Sequence, residues 1–153
     1  MYISTDKHHA WTDGCVTRQR IDKLMEFVEK AQIKMIFSLA ALWGSRKNET
    51  DWKAENAEHL LNHIISMGKS ELFYGFELGN EIYGSHGHAA QIPAKIAAHD
   101  FMRLRKILQT METNENWKII GTDTAMDIQW TKDFFSYGTH LVDIFTWHEY
   151  PLG

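Results

Sequence analysis

Leu72-Phe73-Tyr74-Gly75-Phe76-Glu77-Leu78, followed at once by Gly79-Asn80-Glu81, is a short and mostly apolar run that stops on polar residues. That pattern suits a strand buried in a parallel sheet, with a polar rim at its C-terminal end. The segments on either side repeat the theme. Upstream, residues 52–67 predict a helix with Ala57, Leu60, Leu61, Ile64 and Ile65 on one side, and Gly68 stands where a left-handed C-terminal residue is expected. Before it, Ile33-Lys34-Met35-Ile36-Phe37-Ser38-Leu39 reads as another buried strand. Earlier still, Thr17 can cap a helix running to about Ala31, in which Ile21, Leu24, Met25 and Val28 recur at i, i+3, i+4 and i+7.

Downstream, Pro93 suits the first turn of a third helix carrying Ala97, Phe101, Leu104, Leu108 and Met111 at helical spacing. Lys118-Ile119-Ile120-Gly121 is a third strand. Asp127 can cap a fourth helix to about Tyr137, stopped by Gly138, and Leu141-Val142-Asp143-Ile144-Phe145-Thr146 is a fourth strand. The residues before Thr17 and those at 44–51 read as loops. Short apolar strands alternating with amphipathic helices predict an α/β fold of parallel βαβ units. A doubly wound open sheet and a (β/α)8 barrel both fit that order. No glycine-rich phosphate loop follows any strand, so a nucleotide-binding sheet has little support. A barrel needs about 250 residues. The 153 residues here therefore predict a partial (β/α)8 barrel of about four βα units, a single incomplete domain over residues 1–153.

Composition narrows the function classes. Apolar residues make up 44% and aromatic residues 12%, enough for a real core and too many for a disordered chain. The net charge is −4, and the densest basic cluster, Arg103, Arg105 and Lys106, is explained by a solvated helix face, so no nucleic-acid partner is expected. The longest apolar run, Met35 to Trp43, is interrupted by Ser38 and is far short of the roughly 20 residues a membrane span needs. The single cysteine, Cys15, permits no internal disulfide and reads as a small buried residue. Asn48-Glu49-Thr50 is a glycosylation sequon in a polar stretch, a pattern short enough to arise by chance, and the N-terminus lacks the features of a signal peptide.

The active site of a (β/α)8 barrel lies at the C-terminal ends of its strands. Here those ends carry Asn80 and Glu81, then Asp123, then His148, Glu149 and Tyr150. Any one of them could be a polar residue meeting solvent; the set together argues for a site. Glu77 and Glu81 share one segment, but an extended strand rises about 3.3 Å per residue, so four residues span roughly 13 Å. Retaining glycosidases need carboxyls about 5–5.5 Å apart and inverting ones about 6.5–9.5 Å. Glu77 is therefore expected in the barrel interior, paired with a cation or hydrogen-bonded. The partner of Glu81 is Asp123, Glu149 or a residue beyond Gly153. His59 and His63 sit at i, i+4 on a helix, but no Glu follows His59, so no zinc site is expected. His86, His88 and His99 read as solvated. Trp43 and Trp147 could stack on a sugar ring, whereas Trp52, Trp117 and Trp130 read as packing residues.

Phe76-Glu77-Leu78-Gly79-Asn80-Glu81 resembles the Trp-Glu-Leu-Gly-Asn-Glu segment of glycoside hydrolase family 79, the heparanase and β-glucuronidase group. Thr146-Trp147-His148-Glu149-Tyr150, followed by Leu152-Gly153, is similar to the family's Thr-Trp-His-His-Tyr segment, and the strand from Ile36 to Leu42 to its Phe-Gly-Leu-Asn-Ala-Leu. Trp52, Asn56, Ala57, Leu60 and Leu61 match the helix that follows. Gly14-Cys15-Val16-Thr17 and Gly84 are similar to positions in plant members. The likeness spans nearly the whole chain in order and spacing, and it identifies the chain as an internal piece of the catalytic barrel.

The resemblance implies a retaining β-glycoside hydrolase of endo- or exo-β-glucuronidase type, with Glu81 as general acid/base. It assigns Asn80 to the sugar 2-hydroxyl, and Tyr150 and His148 to the substrate pocket. It puts the nucleophile on a later strand outside this chain, so Asp123 and Glu149 fall back as candidates. No metal or cofactor is implied. The partner is a glycan or small β-glucuronide. A secreted, lysosomal or membrane-associated setting is implied, with membrane or extracellular-matrix association of the full-length protein. Ala40 stands where relatives have Asn, and Pro151 replaces a second aromatic. The lack of a clear basic groove disfavours heparan sulfate and favours a smaller or less charged glucuronide. The alternative is a non-catalytic heparanase-like protein that binds glycans or partners.

Overall fold

The computed structural model describes residues 16–42, 45–46, 51–84, 91–113 and 115–149. Helices and strands alternate: α1 (Arg18–Ala31), β1 (Met35–Leu39), α2 (Glu55–Ser66), β2 (Phe73–Leu78), α3 (Ala94–Thr110), β3 (Lys118–Ala125), α4 (Ile128–Ser136) and β4 (Ile144–His148), with a short 3-10 turn at Ser70–Leu72. The strands form one sheet in the order β1-β2-β3-β4, and every pairing is parallel. This is the arrangement of half a (β/α)8 barrel, as the sequence predicts. The open edges fit it too. Central β2 and β3 are mostly buried, whereas edge strands β1 and β4 expose Ile36, Ile144 and Trp147.

The helices form where the sequence places them because their ends are capped. Thr17 accepts the Arg20 N–H at the start of α1, and Asp127 accepts the Trp130 N–H at 2.7 Å at the start of α4. Each helix lays an apolar stripe on the sheet: Ile21, Met25 and Val28 from α1, and Ala57, Leu61 and Ile64 from α2. Farther along the sheet, Phe101 of α3 meets Phe134 of α4 edge-on at 5.4 Å, and Trp130 stacks on Phe134 at the same separation. A Cβ on Gly121 would lie 2.7 Å from the Phe101 ring, so glycine is what lets α3 approach β3 this closely. Trp52, Trp117 and Trp130 are buried packing residues, as expected; their indole N–H groups donate to the carbonyls of Ala40, Ser70 and Ile92.

Several boundaries differ from expectation, each for a local reason. β1 starts at Met35 rather than at Ile33, because Gln32 is left-handed (φ 55°) and the Ile33 N–H turns back to Val28 O at 3.3 Å, closing α1. α2 starts at Glu55 rather than at Trp52. The Trp52 N–H goes to Asp100 Oδ1 of α3 (3.0 Å) and the Lys53 N–H to Ser45 O (2.7 Å), so this stretch is a strap across α3. Pro93 caps α3 from outside its first turn. β4 starts at Ile144, because both the Asp143 N–H and its carboxylate are engaged by the Ile119 main chain (2.8 Å each). β4 runs on to His148, its last residue. β3 runs four residues past Gly121, which places Asp123 within the strand rather than at its end.

Candidate active site

β2 ends at Leu78, and there the chain leaves the extended conformation. Gly79 has φ 80°, and a Cβ there would lie 2.5 Å from Ile82 Cγ2 and 2.7 Å from Ala41 Cβ. Its N–H donates to Leu39 O at 2.8 Å, and its carbonyl accepts the Ser38 hydroxyl at 3.0 Å. Both ends of this peptide turn are thus tied to β1. Glu81 is also left-handed (φ 49°), and its N–H donates to Asp123 O of β3 at 2.7 Å. The acid-bearing turn is therefore held by main chain from both neighbouring strands. Asn80, between the two anchors, is exposed at the rim. Beyond Glu81, Ile92 N–H returns to Ile82 O, and Tyr83 bridges Gln91.

The Glu81 carboxyl faces β4. Its Oε1 lies 3.0 Å from His148 Nδ1, with 15% of the Glu81 side chain and 26% of the His148 side chain exposed. One proton fits between these atoms, carried by the ring when the carboxyl is ionised and by the carboxyl when it is an acid. Among the sequence-predicted site residues, Glu81 and His148 are brought together and Asn80 flanks them. Tyr150 lies outside the described residues, as do Cys15, Trp43, the sequon at Asn48, His86 and His88. Trp147 is 50% exposed and stacked on Phe145 at 5.9 Å, so one ring face is available to solvent. His63 serves the fold: its Nε2 lies 2.7 Å from Asp22 of α1.

Asp123 has a place that sequence reasoning missed. Thr122 pairs with Thr146 and Thr124 with Trp147, so Asp123 is the extra residue of a bulge. Bulges re-aim side chains and are common beside active sites. Asp123 adopts φ 51°, which Asp tolerates better than most residues, and it is only 8% exposed. Its Oδ1 accepts the Thr146 hydroxyl at 2.6 Å. The signal was present as Thr122-Asp123-Thr124, three polar residues continuing an apolar strand, but nothing in it specifies the bulge.

For Glu77, expected to be paired with a cation or hydrogen-bonded, the neighbour acting on its carboxyl is that of Asp123. Burial pushes the Glu77 carboxyl above the usual glutamate range, the nearby Asp123 charge and their hydrogen bond push it further, and His148 opposes them. The strand-rise argument separating Glu77 from Glu81 assumed an extended chain as far as Glu81. The turn at Gly79 breaks that assumption, and both glutamates answer to His148.

The chain matches the N-terminal domain of glycosyl hydrolase family 79 over residues 1–153. It is 31% identical over 150 residues to Heparanase-like protein 3 of Arabidopsis thaliana, a match that covers 94% of this chain and 27% of that protein. It is 22% identical over 171 aligned positions to Baicalin-beta-D-glucuronidase of Scutellaria baicalensis, covering 99% of this chain and 32% of that protein. The chain thus spans no more than about a third of the length of these two relatives. The order of its elements, the Asn80-Glu81 turn at the end of β2 and the match along the whole chain agree: the chain belongs to glycosyl hydrolase family 79.

Proposed function

We propose that the full-length protein carrying this chain is a retaining β-glycoside hydrolase acting on a small β-glucuronide, with Glu81 as its general acid/base. The observation that carries this reading is the Glu81 carboxyl fixed at the sheet's C-terminal rim, with His148 Nδ1 3.0 Å from its Oε1. In the first step Glu81, as the acid, donates its proton to the leaving oxygen while a carboxylate attacks the anomeric carbon. In the second step Glu81 takes a proton from water, which releases the sugar with retained configuration. His148 steadies both states because its Nδ1 can hold or release the proton that Glu81 lacks or carries. Asn80 receives the sugar 2-hydroxyl, and Tyr150 lines the pocket beside the nucleophile.

The nucleophile is supplied by a later strand of the barrel, and residues 1–153 form the acid/base half of an incomplete domain. Asp123 is a poor nucleophile, being buried and bound by Thr146. The relative named for a β-glucuronidase supports the substrate class, and the family resemblance supports a secreted, lysosomal or membrane-associated setting.

The test is hydrolysis of aryl β-glucuronide, β-glucoside and β-xyloside by the full-length protein. Glucuronide turnover is expected, and Glu81→Gln should lower kcat by about 10²–10⁴-fold, the usual contribution of a general acid/base. Wild-type kcat in Glu81→Gln would remove Glu81 from the role. Glycan binding without turnover of any of the three would favour the non-catalytic alternative.

A further inference from the structure

We propose that Asp123 and Thr146 are positioning residues for Glu81, joined in a clamp that ties both ends of the acid/base to β4. Its catalytic consequence rests on the Glu81 reading, whereas the clamp itself rests on hydrogen bonds alone. The clamp is a closed path. The Glu81 N–H donates to the Asp123 carbonyl at 2.7 Å, and the Thr146 hydroxyl donates to Asp123 Oδ1 at 2.6 Å. Two residues farther along β4, His148 Nδ1 lies 3.0 Å from Glu81 Oε1. One strand thus holds the Glu81 main chain, through Asp123, and the Glu81 carboxyl, through His148. Thr146 and His148 can do both because alternate residues of a strand share a face. Phe145 meets Phe135 of α4 and Trp147 stacks on Phe145, so these two take the helix side and leave the other face to Thr146 and His148.

The bulge is what lets the path close. Thr122 pairs with Thr146 and Thr124 with Trp147, so Asp123 has no residue opposite it on β4. It sits at φ 51°, a conformation that a non-glycine residue keeps only where its surroundings impose it. On either side of it the Thr122 and Thr124 hydroxyls bond each other at 3.1 Å, and both threonines are buried. That bond closes the bulge on itself but does not aim it. The bond from the Thr146 hydroxyl fixes the direction of the bulged residue relative to β4. Without it, Asp123 can turn about its own backbone and carry its carbonyl off the Glu81 N–H. The other anchor of the turn, Gly79 N–H to Leu39 O, lies on β1 and does not depend on β4.

Conservative variants separate this arrangement from simple packing. Thr146→Val keeps the shape of the side chain and removes the hydroxyl, and Thr146→Ser returns it. Asp123→Asn keeps an acceptor for that hydroxyl and a residue type that tolerates positive φ, but removes the charge. Asp123 Oδ2 has no hydrogen-bond partner among the described residues, so an amide nitrogen in its place breaks no bond. The full-length protein is assayed on phenyl β-glucuronide, whose leaving group needs protonation, and on 2,4-dinitrophenyl β-glucuronide, whose leaving group does not. Thr146→Val should lose kcat/KM on the phenyl substrate by up to about 10²-fold, the scale for a misplaced catalytic group, with KM little changed and a much smaller loss on the dinitrophenyl substrate. Thr146→Ser and Asp123→Asn should return to within about threefold of wild type on both. Equal losses on the two substrates would mark a general packing defect and overturn the proposal. So would an Asp123→Asn variant as impaired as Thr146→Val, because the charge of the carboxylate, and not its bond to Thr146, would then be what counts.

Residue-resolved hydrogen exchange reads the clamp without any turnover. The Glu81 amide of Thr146→Val should exchange about tenfold faster than that of wild type, the scale for one loosened hydrogen bond, while the Gly79 amide keeps its rate. An unchanged Glu81 rate, or Glu81 and Gly79 amides that quicken together, would overturn the clamp even in an active enzyme. Faster exchange at Glu81 alone, in a protein that hydrolyses neither substrate, would uphold the clamp and remove the acid/base it serves.

Discussion

The buried ion pair between Arg46 and Asp100 should cost very different amounts depending on which partner is removed. Asp100 of α3 is bound by Arg46 at one oxygen and by the Trp52 N–H at the other, and the two side chains are only 4% and 5% exposed. Arg46 Nε also donates to Ala41 O at 3.1 Å, and Arg103 donates to Trp52 O at 2.7 Å. The strap between β1 and α2 is therefore fastened to α3 through charges taken out of water. Asp100→Ala takes this carboxylate away from the buried guanidinium. Arginine cannot shed its proton, so the loss should be about 3–5 kcal/mol at every pH. Arg46→Ala leaves a carboxyl that has an escape. Burial already pushes Asp100 above the usual aspartate range against the lowering effect of Arg46, and without Arg46 it rises further. The variant's folded state then binds a proton that wild type releases, so its destabilisation should grow with rising pH and shrink on acidification. At low pH only the lost hydrogen bonds should remain, on the order of 1 kcal/mol each. Urea unfolding of the full-length protein at about pH 5 and pH 8, at constant ionic strength, measures both trends. Arg46→Ala and Asp100→Ala losses that match at both pH values would refute the argument. So would an Asp100→Ala cost below about 1 kcal/mol.

Gly79→Ala would place a Cβ 2.5 Å from Ile82 Cγ2 in a residue with φ 80°, so it should cost about 1–3 kcal/mol and disturb the turn that carries Glu81. Thermal melting and kcat of the full-length variant check both, and a variant matching wild type would show that the turn relaxes freely. Trp147→Ala should leave stability within about 0.5 kcal/mol, because the ring is half exposed. If its free face meets a sugar, KM should rise roughly 2- to 10-fold, the worth of about 0.5–1.5 kcal/mol of ring stacking. An unchanged KM would make Trp147 a packing partner of Phe145 alone.

The fold was legible because its signals are local and mutually consistent. Thr17 and Asp127 are short polar residues ahead of apolar stripes, and both cap the helices they precede. The strands were legible as apolar runs, but their ends were not. The start of β1 depends on Gln32 adopting a left-handed cap more usual for glycine, and the start of α2 on Asp100 claiming the Trp52 N–H from 48 residues away. The site divided the same way. Glu81 and His148 were legible as polar residues at strand ends, and the structure brings them into contact. The Asp123 bulge was not, because it is set by the register between β3 and β4, a property of two strands that neither sequence states alone. The turn at Gly79 was not legible either, because a linear count along β2 has no knowledge of it.

The same geometry accounts for how the rim can accept departures from its family's pattern. Glu81 is positioned by main-chain bonds: Gly79 N–H to Leu39 O, and its own N–H to Asp123 O. The Ala40 carbonyl accepts the Trp52 indole, a bond that any residue at position 40 could make. Alanine at position 40, where the family resemblance expects asparagine, therefore leaves the end of β1 held. Main-chain anchoring tolerates substitution at the anchoring residues but not a change in their backbone conformation. The sensitive positions are then the left-handed ones, Gly79, Glu81 and Asp123. Two of the three carry carboxyl groups, and the strain their backbones store is held by the hydrogen bonds that aim those groups. A substitution that relaxes either backbone should cost activity before it costs the fold, since β2 and β3 remain paired below it through Phe76 and Ile119.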